Sequence, residues 1–363
     1  MNIFLGIRVE KAVYFPFEIF IGIYTAYYIK YASKGLVAIT IGYFLPYVFI
    51  KTYFVEYPAY HIFYVFSLIL KILFISIVVN MEVDGSIYLK CKRVVFSFLS
   101  VTLLFSIIHL FLGIHSPAPG WLWPINISIQ ELALIIIYVA FILYGDYKKN
   151  ILLFFMFFIL LFFRGSGKTS LSLICLIPII IYILRSFPSI KSPLKYFPII
   201  YSALGLFGIL LIVSLYSSTI VTLYHSISTI AADKIDFYKR LSLIYEAFYY
   251  LLTPTGFFTG AGFGVVNYLS EVDSLLDNSP QILPLTIMAY GGVIFYIYYF
   301  VCMQILVLNL TKKTKRVDSH IYAIVMWIVI LLFMTTHEYF NNPFLYISLF
   351  VFIVLLKSRE KCL

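Results

Sequence analysis

Arg164, Gly165, Ser166, Gly167, Lys168, Thr169 and Ser170 run together between two apolar stretches, so a guanidinium and an ammonium stand where hydrocarbon begins. An arginine at mid-depth in a bilayer costs about 2.5–3.5 kcal/mol on insertion scales, which puts a binding role ahead of a plain interfacial anchor. The string also invites a nucleotide-binding reading, because Gly-Lys-Thr ends a phosphate-binding loop. The full motif needs a preceding strand and a glycine five residues before Gly167, and that position is Phe162. ATP binding is therefore rejected.

Further along, Asp236-Phe237-Tyr238-Lys239-Arg240-Leu241 leaves two readings of Arg240 open. One is a surface ion pair with Asp236 four residues earlier, which contributes little. The other is a cation facing a membrane cavity, able to hold a phosphate bidentately. Gly260-Ala261-Gly262-Phe263-Gly264 has the composition of an anion-cradling nest of backbone amides. Its plain role is to let the chain turn tightly and approach other backbone closely. Candidate bases are Asp277, beside Asn278, and His337 in His337-Glu338-Tyr339-Phe340-Asn341-Asn342. For His337 a solvated loop histidine is the slightly favoured alternative. His61 and His109 lie within apolar runs, where a satisfied core histidine is the simpler explanation.

The elements that position these groups are membrane helices. Hydrophobic residues make up 63% of the chain and charged ones 12%, with a mean hydropathy of +1.00. A soluble domain carries about 25% charge, and no water-soluble fold hides this much apolar surface. The runs are continuous rather than alternating, which favours helices over a β-barrel. The length rule predicts an all-α chain, residues 1–363 forming a single membrane domain of about eleven spans. They fall at Ala12–Ile29, Gly35–Ile50, Ala59–Val79, Val94–Ile114, Ile127–Tyr144, Ile151–Phe163, Ser170–Leu184, Phe197–Tyr216, Ile282–Leu310, Tyr322–Thr336 and Pro343–Leu356. The first apolar run lacks a small-residue cleavage site and reads as a retained span. Cys91, Cys175, Cys302 and Cys362 show no paired spacing, so neither disulfides nor zinc are expected.

The formal charge of +10 comes from short clusters between apolar runs, which fits topology better than nucleic-acid binding. Lys148 and Lys149, then Arg185, Lys191 and Lys195, then Lys312 to Arg316, then Lys357 to Lys361 fall at every second loop. Such loops stay on the cytoplasmic side. The register puts Arg164–Lys168, residues 217–281 and His337–Asn342 together on the outer face. It also leaves the N-terminus outside despite Arg8 and Lys11. Residues 217–281 form the one long non-membrane segment, and Ile235, Leu241, Ile244, Tyr245, Phe248 and Leu252 predict an amphipathic helix within it.

Three ordered features resemble the superfamily of O-antigen polymerases and O-antigen ligases. They are Phe163-Arg164-Gly165-Ser166-Gly167-Lys168-Thr169-Ser170-Leu171; the outer segment with Arg240-Leu241-Ser242-Leu243-Ile244-Tyr245-Glu246-Ala247 and Thr259-Gly260-Ala261-Gly262-Phe263-Gly264; and Asp277-Asn278-Ser279-Pro280 followed by Ala289-Tyr290-Gly291-Gly292. The resemblance covers roughly residues 144–310. It implies a metal-independent, inverting glycosyltransferase of the bacterial inner membrane, with no cofactor, acting on undecaprenyl-diphosphate-linked oligosaccharide. Arg164 and Arg240 would hold the diphosphate, and Lys168, Gly262, Gly264 and Asn278 would complete substrate binding. A chain-length regulator and a flippase would be partners, and the bilayer itself would deliver the lipid donor.

The ligases carry a histidine where this chain has Asp277, which favours a polymerase of O-antigen or capsule repeat units over a ligase. The alternative from another class is a polysaccharide flippase or other transporter. Transporters usually have short loops and place charges within spans near the midplane, whereas the polar segments here are expected at the outer face.

Overall fold

Backbone in hydrocarbon finds no water to bond, so a run of about 20 apolar residues closes its hydrogen bonds internally as a helix. The computed structural model describes residues 9–55, 58–97, 168–230, 236–262, 282–334 and 343–362, with positions 151 and 155 besides. Among the described residues all regular structure is helical. In order these are α1 (Val9–Tyr28), α2 (Lys34–Ile39) running through a π-turn at Thr40–Phe44 into α3 (Leu45–Thr52), α4 (Pro58–Asn80), α5 (86–97), α6 (Lys168–Ser186), α7 (Pro188–Leu194) and α8 (Phe197–Ile230). Then follow α9 (Asp236–Leu251), α10 (Pro254–Thr259), α11 (Leu283–Lys313), α12 (Val317–Met334) and α13 (Pro343–Cys362).

Among the described residues five helical stretches are long and apolar enough to cross a membrane: Lys34–Thr52, His61–Asn80, Phe197–Thr222, Leu283–Lys313 and Val317–Met334. A sixth is added if Ser172–Ser186 and Pro188–Leu194, bent by 116°, form one span. The chain is a multi-pass membrane protein. Of the eleven expected spans, Ile127–Tyr144 and nearly all of Val94–Ile114 and Ile151–Phe163 lie outside the described residues, and the described parts of the other eight fall on helices. The largest boundary difference is at α8. Helix α8 does not stop at Tyr216; the residue bends it, with φ −121° and ψ 19°, and the helix continues to Ile230.

Basic segments far apart in sequence meet at one end of the bundle. Lys361 pairs with Glu82 at 3.6 Å, Arg185 with Asp318 at 3.2 Å, and the amides of Lys315 and Arg316 donate to the Glu360 carboxylate. Lys357 caps the last carbonyls of α4, including Val79 O at 2.9 Å, and Gln304 donates to Lys195 O. The Ser33 amide donates to Ser76 Oγ at 2.9 Å, which brings the end of α1 to the same pole. Thus α1 and α4 run parallel toward the basic end and α2–α3 returns from it, consistent with the parity read from the loop charges.

Helix α11 is the hub. Every residue from Leu283 to Gly292 is buried, and α4, α8, α9, α10 and α12 all pack on it. The π-turn meets it too: Phe44 stacks on Tyr298 at 4.0 Å, and Thr40 Oγ1 lies 3.0 Å from the Tyr298 hydroxyl. Helix α8 approaches through Gly205, where an added Cβ would stand 2.9 Å from Pro284 Cβ and from the Tyr296 hydroxyl. That hydroxyl donates to Ser202 O at 2.6 Å. Gly205→Leu is therefore expected to lower stability by about 1–3 kcal/mol through overpacking. Thermal melting in detergent checks this, and an unchanged midpoint would show that α8 is not held here.

One feature corrects the expectation that charge avoids the midplane. Lys71, halfway along α4 and 0% exposed, pairs with Glu18 of α1 at 2.5 Å. Its ammonium also donates to Ser67 Oγ at 2.8 Å, and Ser67 donates to the other Glu18 oxygen at 3.1 Å. Hydropathy over Ala59–Val79 is dominated by its apolar residues, and so the lysine within it passed unnoticed.

Candidate functional site

The site is built on a short helix and two facing glycines. Thr253 caps α10 by accepting the Gly256 amide at 3.0 Å, with Pro254 at the first helical position. The helix ends at Gly260, whose φ of 65° is a left-handed conformation that glycine adopts without strain. The chain then lies directly on α11, where Gly292 (φ 62°) interrupts the helix. A Cβ at Gly260 would stand 2.4 Å from Tyr290 C and O, and one at Gly292 would stand 2.3 Å from Phe258 O. Each glycine is thus required by the other's backbone.

An interrupted helix leaves carbonyls in the preceding turn that need donors. Three come from elsewhere. The Ala261 amide donates to Ala289 O and the Gly262 amide to Tyr290 O, both at 2.8 Å. The Tyr47 hydroxyl donates to Gly291 O at 3.1 Å and to Thr259 O at 2.6 Å. The Gly260 amide is likewise committed, to Gly256 O at 3.0 Å. These bonds correct the nest reading for Gly260, Ala261 and Gly262: their amides are spent on backbone carbonyls, and what this loop offers is its shape.

Helix α3 supplies the charge. Lys51 is 7% exposed, and its ammonium donates to Gly260 O at 2.5 Å and to Thr259 Oγ1 at 3.2 Å. The Tyr250 hydroxyl on α9 reaches the same Gly260 carbonyl at 3.2 Å. Burial pushes the Tyr250 phenol up, so it remains a proton donor. Fully buried His61, at the start of α4, borders Gly262: its Nδ1 would lie 3.7 Å from a Cβ there, with Val55 Cγ1 at 2.4 Å. The end of α3, the start of α4 and the glycine loop therefore share the pole opposite the basic one.

Neither a family model, nor a curated protein, nor a solved structure matches the chain. The site's own chemistry has to carry its interpretation.

Thr259–Gly262 and Ala289–Gly292, quoted from the sequence as two separate motifs, are one backbone-to-backbone contact. Arg240 lies on α9, ten residues before Tyr250 and so about 15 Å along the helix axis. The buried face of α9 runs through Leu243, Ala247, Phe248 and Leu251, shifted from the stripe read in the sequence because α8 and α11 cover it from two sides. Lys168 opens α6, which packs on α12. Arg164, Gly264, Asp277, Asn278 and His337 lie outside the described residues. Among the described residues no group of three His, Cys, Asp or Glu converges to hold a metal, and all four cysteines are free.

Sequence reasoning missed Lys51, Tyr47 and Tyr250. Tyrosines are too frequent in this chain, 32 in all, to single any out. Lys51 directly follows the run Gly35–Ile50, where a lysine reads as an ordinary interfacial residue.

Proposed function

We propose that this chain is a surface-polysaccharide polymerase, transferring a glycan from undecaprenyl diphosphate to a sugar hydroxyl of another lipid-linked repeat unit on the outer face of the bacterial inner membrane. The observation that supports it is the contact between Thr259–Gly262 and Ala289–Gly292 at the pole away from the basic clusters. Two of the segments that resemble the polymerase superfamily meet there, at the end that the positive-inside rule assigns to the outside.

In the reaction, the acceptor hydroxyl attacks the anomeric carbon as the bond to the diphosphate oxygen breaks. The configuration inverts, the hydroxyl proton passes to a carboxylate or imidazole, and the lipid diphosphate leaves with the bonding electrons. Arg164 and Arg240 are assigned to the growing negative charge on that leaving group, which guanidinium groups match in geometry and charge. Asp277 or His337 serves as the base.

A specific observation favours a second reading. Lys71 and Glu18 place an ion pair in the middle of two spans, where transporters keep their coupling groups, so a flippase is the competing function. Deletion of the gene separates the two. A polymerase mutant accumulates single lipid-linked units, and core lipid bearing one unit appears on gels; a flippase mutant holds its units on the inner leaflet. Arg164→Ala and Arg240→Ala are each expected to abolish polymer while the protein still inserts. Full-length polymer from either variant would remove that arginine from the site.

A further inference from the structure

Lys51 holds a charge that the fold does not need for holding its loop. One of its two acceptors is already served by a neutral group, since Tyr250 donates to the Gly260 carbonyl, and the Thr259 carbonyl beside its other acceptor is held by Tyr47. A neutral donor at position 51 would complete the same contact without the cost of burying an ammonium, which is large unless the charge is paired. Yet among the described residues no carboxylate lies within ion-pair distance of Lys51, and its partners are one carbonyl and one hydroxyl. An ammonium has three donors, and two of them are taken among the described residues. The C-terminal dipole of α3 offsets only part of the charge.

We infer that Lys51, with the Thr259–Gly260 turn, forms an anion site at the outer pole that takes the diphosphate of a lipid-linked donor. A compact ammonium anchored on two sides presents its remaining proton in a fixed direction, which suits a phosphate oxygen approached as a point charge. The bound anion supplies a countercharge that Lys51 does not find among the described residues. The site adds a cation from the N-terminal half to the two arginines of the proposed reaction, and its ligand assignment rests on that reading.

The test uses the full chain in phosphatidylcholine nanodiscs, with farnesyl diphosphate as the probe and affinity read by calorimetry. Lys51→Gln is expected to weaken binding about ten- to a hundredfold, as loss of a charge-assisted hydrogen bond does. Lys51→Arg should stay within about threefold of wild type, and Tyr47→Phe, which loosens the turn but keeps the charge, should weaken binding less than Lys51→Gln does. Should Lys51→Gln fail to insert, Lys51→Met replaces it as a neutral side chain of similar length with no polar group to strand. Equal affinity in wild type and the neutral variant overturns the site. So does equal weakening by Tyr47→Phe and Lys51→Gln without recovery in Lys51→Arg, which would make Lys51 a loop-positioning residue. Inorganic pyrophosphate should compete weakly and nanodiscs containing phosphatidylglycerol should not compete. If phosphatidylglycerol competes as well as the probe, the site belongs to bilayer headgroups and the donor assignment is wrong. Binding is measured without polymerisation, so diphosphate affinity through Lys51 in a protein whose deletion leaves polymer length unchanged would sink the reaction and leave the anion site standing.

Discussion

Gly292→Ala is expected to cost about 2–6 kcal/mol, the sum of left-handed strain and overpacking, against a total stability of about 5–15 kcal/mol for a typical domain. The φ of 62° alone strains any residue with a Cβ, and that Cβ would press to 2.3 Å from Phe258 O. No rotamer relieves this, because backbone faces backbone. The chain must lift α10 off α11, which breaks the hydrogen bonds that the Ala261 and Gly262 amides donate and pulls the Thr259 and Gly260 carbonyls from Tyr47 and Lys51. Gly260→Ala meets the same wall from the other side, at 2.4 Å from Tyr290. The double variant should cost less than the two singles together, since either one already opens the contact. Gly22 and Gly208 are the controls: a Cβ at either meets nothing within 4 Å, and alanine there should gain about 0.5–1 kcal/mol of helix propensity. Melting temperature and the monodisperse fraction in detergent read all five variants. A Gly292→Ala protein that melts with wild type would mean that the loop does not sit on the helix break.

Lys71→Met should destabilise by about 3–5 kcal/mol, the usual cost of stranding one member of a buried pair. Glu18 would lose its ammonium partner while only 27% exposed, with Ser67 left as its remaining donor. Replacing both charges, Lys71→Met with Glu18→Gln, should restore most of the loss, because the double variant strands no ion. The rescued protein also decides what the pair is for. Wild-type polymer length in it makes the pair a clamp between α1 and α4, whereas a stable protein with no polymer means that ionisation is used and favours the transport reading.

Hydropathy found the helices because a backbone that must bond to itself in hydrocarbon leaves a length signature that needs no tertiary information. What escaped it was set by contacts between distant segments. Gly291-Gly292 lies inside an apolar run read as one unbroken span, and the break becomes visible only when Thr259–Gly262, some 30 residues earlier, supplies the donors. The same contact explains why the glycine loop looked like an anion nest: composition shows that amides are accessible in principle, and only packing shows where they point. Tyr216 bends α8 without a proline or glycine to announce it. Lys71 was masked by its apolar neighbours and Lys51 by its position at a run's edge, although both are buried cations whose partners decide their meaning. Arg240 was legible as a charge on a predicted helix and falls on one, whereas Lys168, expected in the turn before Ser170–Leu184, opens α6.

The most direct measurement is reconstitution. The purified chain in proteoliposomes is given undecaprenyl-diphosphate-linked repeat units, with no nucleotide, nucleotide sugar or added metal, and products are separated by gel. The expected result is a ladder of lipid-linked polymers lengthening with time, with one undecaprenyl diphosphate released per bond formed, absent with Arg164→Ala and Arg240→Ala. Units that cross the bilayer without being joined would contradict the polymerase reading and establish the flippase in its place.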